Sequence, residues 1–126
     1  METTQHLQRF VRHEEQGQYL TVPFHMPAGV ERFTLSYHYV RHQSRAGGAF
    51  TARQEVNIID LGLIAPAGTQ VGVSGSDKTR IEVSETHATP GYHPCPLAAG
   101  EWQVLLGAYK VAAEGVTVDY ELTFTP

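Results

Sequence analysis

Seven histidines, a lone cysteine and one carboxylate set in an apolar run are the side chains of this chain that could do chemistry. His87, His93 and Cys95 are the nearest approach to a metal-ligand cluster, and they are donors of the kind that hold zinc. Their spacing is poor for it. Loop-borne zinc ligands usually stand a few residues apart so that both turn toward one ion, whereas His93 and Cys95 are separated by Pro94 alone and no second close pair follows. His38 and His42, four apart on an extended segment, would lie about 13 Å from one another at a rise of about 3.3 Å per residue, and they read as surface residues.

Asp60 is the most informative polar residue, because it interrupts the run Glu55–Ile64 (EVNIIDLGLI). A carboxylate taken out of water needs a partner or a proton. Arg80 and Lys110 are its candidate ion-pair partners, backbone amides near Gly62 its candidate donors, and a ligand or metal contact the functional alternative. Nucleophilic catalysis finds little support: Ser74 lies in Val73-Ser74-Gly75 without the flanking pattern of a nucleophile elbow. No glycine-rich phosphate-binding motif is present either. The aromatic residues Phe50, Tyr92 and Tyr109 fall in loops or at a strand end, where rings can stack on sugars or seat a neighbouring domain.

Period-two alternation, with helical periodicity nearly absent, is what must position these residues. Strands are predicted over His6–His13, Tyr19–Phe24, Glu31–Arg41, Glu55–Ile64, Gln70–Ser74, Thr79–Ser84, Trp102–Leu106 and Val116–Phe124. The last is the cleanest, with Val116, Val118, Tyr120, Leu122 and Phe124 on one face. The polar, glycine-rich segment Arg41–Gln54 reads as a surface loop, and Glu55–Ile64 as a central strand covered on both faces. Between Ala88 and Gly107, Pro90, Pro94 and Pro96 stiffen a loop that feeds the only tryptophan into a buried strand. About eight strands in one domain of 126 residues imply an all-β fold, a two-sheet antiparallel β-sandwich of jelly-roll-like order.

Composition bounds the function further. A net charge of −4, with nine scattered Lys and Arg residues, lacks the basic footprint of a nucleic-acid binder or a polybasic membrane patch. One cysteine makes no intrachain disulfide, and the polar start METTQHLQRF is neither a signal peptide nor a spanning helix. A cytoplasmic protein is expected.

Several motifs in fixed order carry a resemblance: Asp60–Leu63, Ser74-Gly75, Ala88–Tyr92, Gly100-Glu101-Trp102 and Leu106–Lys110. From about Arg9 to Phe124 the chain resembles the N-terminal β-sandwich that precedes the catalytic domain of bacterial PHP-type metal-dependent phosphoesterases, the CehA/McbA-like metallohydrolases. In those proteins the metal-binding domain opens with an Asp-Leu-His-x-His stretch. It would begin where this chain ends, at Thr125-Pro126, and no His-x-His occurs here. The resemblance therefore implies a non-catalytic accessory domain with no cofactor of its own, whose partner is a PHP-type catalytic domain or a second copy of itself. Asp60, Tyr92, Tyr109 and Lys110 are then the expected interface or ligand platform. A small-ligand or carbohydrate-binding module using Tyr92, Tyr109 and the proline loop is the alternative.

Overall fold

Strands with apolar side chains at every second position must bury one face, and two such sheets can bury each other. A computed structural model describes the backbone of residues 1–47 and 50–126, and the side chains of residues 1–43 and 54–126. In chain order its strands are β1 (Thr3–Val11), β2 (Tyr19–Met26), β3 (Arg32–His38), β4 (His42–Gly47), β5 (Phe50–Glu55), β6 (Ile58–Ile64), β7 (Gln70–Ser74), β8 (Arg80–Ser84), β9 (Gly100–Lys110) and β10 (Val116–Thr125). One sheet has the order β1-β10-β3-β8 and the other β2-β9-β6-β7, while β4 and β5 form a separate ribbon.

The pairing is nested. β6 pairs with β7, β3 with β8, β2 with β9 and β1 with β10, all antiparallel. The eight strands are thus one long hairpin, with its tip at the 3-10 turn Pro66–Gly68, rolled so that successive pairs fall alternately into the second and the first sheet. That is the jelly-roll order, with the β4–β5 ribbon inserted between its third and fourth strands. The ribbon replaces the loop expected over Arg41–Gln54. Its sequence, HQSRAG and FTARQE, has no apolar alternation, so main-chain pairing makes a ribbon there without leaving a hydrophobic period to read. Among the described residues, no helix is long and apolar enough to cross a membrane.

The core follows the alternation. Phe33, Leu35 and Tyr37 of β3, and Val118, Tyr120 and Leu122 of β10, face Phe24 of β2, Leu61 and Leu63 of β6, and Trp102, Val104 and Leu106 of β9. Phe24 stacks on Phe33 at 5.3 Å between ring centroids, joining the two sheets. β6 meets the expected two-sided cover in part: its inner face is fully buried, while on its outer face Gly62 is buried and Ile58, Asp60 and Ile64 are half-buried. Ile59, Leu61 and Leu63 point into the core, while Asp60 lies on the outer face and is partly exposed. Where the β6–β9 register shifts between Ile58 and Ile59, Tyr37 of β3 and Tyr39 just beyond it reach across. The Tyr37 hydroxyl donates to the Ile59 carbonyl at 2.5 Å, and the Ile59 amide donates to the Tyr39 hydroxyl at 3.0 Å.

Among the described residues, the buried polar side chains of Glu15 and Asn57 are both satisfied, whereas the Tyr120 hydroxyl is buried without a hydrogen-bond partner. Glu15 accepts from Arg9 and from the Arg12 amide, which hold its carboxyl down at about 2. Asn57 donates to the Val40 carbonyl and accepts from the Ala112 amide.

Residues 85–99, between β8 and β9, strap the open side of the sandwich. Ala88 bridges Val83 on β8, the edge of the first sheet, and Tyr92 bridges Gly72 on β7, the edge of the second. The Thr89 amide donates to Glu82 and the His93 amide to Val71, at 2.9 Å each. Gly72 has no alternative there, because a Cβ would stand 2.7 Å from the Tyr92 Cα, closer than real Cβ atoms come. Trp102 ends the strap. Its ring is 1% exposed, and its Nε1 donates to the Ala98 carbonyl at 2.8 Å.

Replacing Trp102 by Ala removes both that ring and that bond. It is expected to cost about 3–5 kcal/mol in urea denaturation, the range for truncating a large core aromatic. His93→Ala, at an exposed side chain, should stay within about 0.5 kcal/mol of the parent.

Candidate functional site

The sequence candidates separate in space. The strap divides His87, His93 and Cys95. The His87 carbonyl and the Cys95 amide both bond Ser84 on β8, whereas the His93 amide bonds Val71 on β7. Both imidazoles are exposed, and among the described residues no group of three His, Cys, Asp or Glu side chains could hold a metal ion. Burial pushes the Cys95 thiol up, away from the reactive thiolate.

Tyr92, expected on an exposed platform, is instead a core residue at 6% exposure. Its hydroxyl lies 2.9 Å from the Ser74 Oγ and donates to the Leu61 carbonyl at 3.2 Å. The proline loop is pulled against β7, so the ring has nowhere to go but inward. The Phe50 side chain lies outside the described residues. Tyr109 keeps its expected place, 69% exposed at the end of β9.

Neither cation proposed for Asp60 reaches it. Lys110 Nζ donates to the Glu55 carbonyl at 2.8 Å, and Arg80 faces Glu82 at 3.8 Å on the first sheet. Among the described residues, Asp60 has no ion-pair partner. Burial raises its carboxyl above the ordinary range, hydrogen bonding from the Ser76 backbone opposes this, and the negative charge of Asp77 adds to it.

What surrounds Asp60 was not visible as a cluster in the sequence. On the outer face of the second sheet, Tyr19 of β2, Gly107 of β9 and Asp60 of β6 form one cross-strand rung. A Cβ on Gly107 would stand 3.0 Å from the Asp60 Cβ and 3.1 Å from the Tyr19 Cε1. Glycine leaves the room in which the ring and the carboxylate lean over the strand between them, since a Cβ there would make a neighbour give by a few tenths of an ångström. The next rung repeats the device: a Cβ on Gly62 would meet the Leu105 Cβ at 2.9 Å. Tyr19 is 72% exposed and Val73, beyond Gly62, 45%.

Together these residues wall a cleft of about 210 Å³ that runs over Asp60 toward Ser74 and Gly75. A second depression of about 70 Å³ continues it on the other side of Asp60, past Gln18 to Tyr109. Sequence reasoning missed Tyr19, Leu105 and Gly107. The one available signal was a glycine inside an otherwise apolar strand, which marks close approach by another group.

The first sheet also carries a groove on its outer face, about 360 Å³, walled by Arg32, Arg80, Glu82 and Glu121 over Thr34 and Ser36. It contains both signs of charge and no aromatic ring, the pattern of a solvated sheet face. The Tyr19–Asp60 cleft is the better candidate site, able to stack a ring and to accept hydrogen bonds. No protein-family model and no curated protein matches the chain.

The Asp60 environment has a consequence for pH. Because its carboxyl is raised in the folded protein, the fold binds the extra proton and stability falls as pH rises through that interval. Asp60→Asn should therefore raise the midpoint of thermal unfolding at pH 7. The gain should vanish below the ordinary Asp range, where both states are protonated. Differential scanning calorimetry at pH 7 and at low pH reads both.

Proposed function

We propose that this chain is a non-catalytic accessory β-sandwich that serves a PHP-type metal-dependent hydrolase domain, as structural support and as a contact surface. One observation supports this most: the motifs that carry the resemblance are used to hold the fold together. The Ala-Thr-Pro-Gly-Tyr segment is the strap between the two sheet edges, with the Tyr92 hydroxyl on Leu61 of the Asp-Leu-Gly-Leu strand. The Gly-Glu-Trp segment seats Trp102, and the Leu-Gly-Ala-Tyr-Lys segment supplies Leu106 to the core and Lys110 to the Glu55 carbonyl. A motif order that encodes a scaffold is what an accessory domain would share with its relatives. Contact with the catalytic domain or with a second copy falls to exposed surface residues such as Lys110 at the end of β9. A cytoplasmic location fits the free Cys95.

The purified chain, assayed with p-nitrophenyl phosphate in the presence of manganese or zinc, should give no turnover above the buffer rate. Metal-dependent turnover by the chain alone, abolished by replacing His87 and His93 together, would overturn the reading.

A further inference from the structure

The outer face of the second sheet presents a ring, a carboxylate and a glycine floor in one rung, and the accessory role does not account for them. Tyr19 lies across Gly107, its Cε1 and Cδ1 being 3.1 and 3.5 Å from where a Cβ would stand. That side of the ring approaches the Gly107 backbone, and at 72% exposure most of Tyr19 is open to solvent. Beside it the Asp60 carboxylate is drawn partly out of water with the Ser76 backbone as a donor, and burying it further under an apolar ligand would leave its remaining acceptor positions unmet. An anionic ligand is opposed by Asp60 and by Asp77, whose Oδ1 lies beside Gly75 at the cleft wall. Arg41, whose guanidinium reaches the Ser76 carbonyl, is paired with Glu55, and Lys110 is turned to the Glu55 carbonyl.

A ligand that suits the cleft offers an apolar face to the ring and several hydroxyl donors at its rim to the carboxylate. The site is also elongated. Depressions of about 210 and 70 Å³ share Tyr19, Asp60 and Gly107, with Tyr109, 69% exposed, at the far end of the smaller one. A single cation would fill one and leave the other. A chain of sugar rings would fill both, with one ring stacked on Tyr19 and a neighbour reaching Tyr109.

We propose that the Tyr19–Asp60 cleft is a binding site for a neutral oligosaccharide of at least two rings. Tyr19 is the stacking platform, Asp60 the acceptor for ring hydroxyls, and Tyr109 the contact for the adjoining unit. The proposal does not depend on the accessory role: it stands or falls on the chain's own binding, whatever the phosphatase assay gives.

The test uses the full chain labelled with ¹⁵N and titrated separately with cellohexaose, maltohexaose, xylohexaose and chitohexaose, and with N-acetylarginine amide as a cationic probe. At least one oligosaccharide should shift the Tyr19, Ser74 and Gly107 amide resonances saturably, with little dependence on salt. Tyr19→Ala and Asp60→Ala should each weaken that binding by about tenfold or more, and Tyr19→Phe should preserve it. Tyr109→Ala should weaken hexasaccharide binding while leaving binding of a single sugar ring unchanged. Spectra that retain the dispersed core resonances establish that each variant folds. Failure of all four oligosaccharides to shift these resonances would overturn the proposal. So would a salt-sensitive response to the arginine probe alone, which would make the cleft a cation site.

Discussion

The contact on which this sandwich depends is the approach of Gly91 and Tyr92 to Gly72, backbone against backbone, with the Tyr92 hydroxyl continuing to Ser74 and Leu61. A two-sheet fold has four edges, and an edge strand offers unpaired backbone groups to any chain that approaches. Here β7 and β8, the edges of different sheets on one side, are both engaged by a single stretch of proline-stiffened chain. Burying the Tyr92 ring in that same movement ties the strap to the core. The preceding strands can roll over one another because this segment holds the side on which the hairpin would otherwise open.

That geometry also explains which parts of the fold were legible in the sequence. Strand existence, the alternation of β3 and β10, and the burial of Trp102 follow from residue periodicity alone, since the inward positions of Phe33, Leu35 and Tyr37 are spaced by two. The β4–β5 ribbon was illegible because its pairing is made by backbone groups that every sequence possesses. Tyr92 was misread for a related reason. A tyrosine among prolines has no periodic context, and only the path of the chain decides whether its ring meets solvent or Leu61. The path of the chain likewise parts His93 and Cys95, neighbours in sequence whose backbones are bonded to different sheets.

The candidate site was partly legible. Asp60 stood out as a carboxylate in an apolar run, and the structure keeps it conspicuous, although on an outer face and away from both proposed cations. Tyr19 and Gly107 could not be joined to it from the sequence. They lie 41 and 47 residues away along the chain, and register alone makes them one rung. Glycine has opposite effects in the two regions. At Gly72 it admits the strap and completes the scaffold, while at Gly107 it lets a ring and a carboxylate meet on the surface. The first use concerns stability, and the second leaves a chemically specific surface with no structural task inside the chain.

The central physical claim is that one strap secures both sheets. Native-state hydrogen exchange on Gly72→Ala tests it directly, since the added methyl group collides with the Tyr92 backbone and must push the strap away. Amides of Val71–Val73 on β7 and of Ile81–Val83 on β8 should lose protection together, even though they belong to different sheets. Loss confined to β7, with β8 as protected as in the parent, would contradict it.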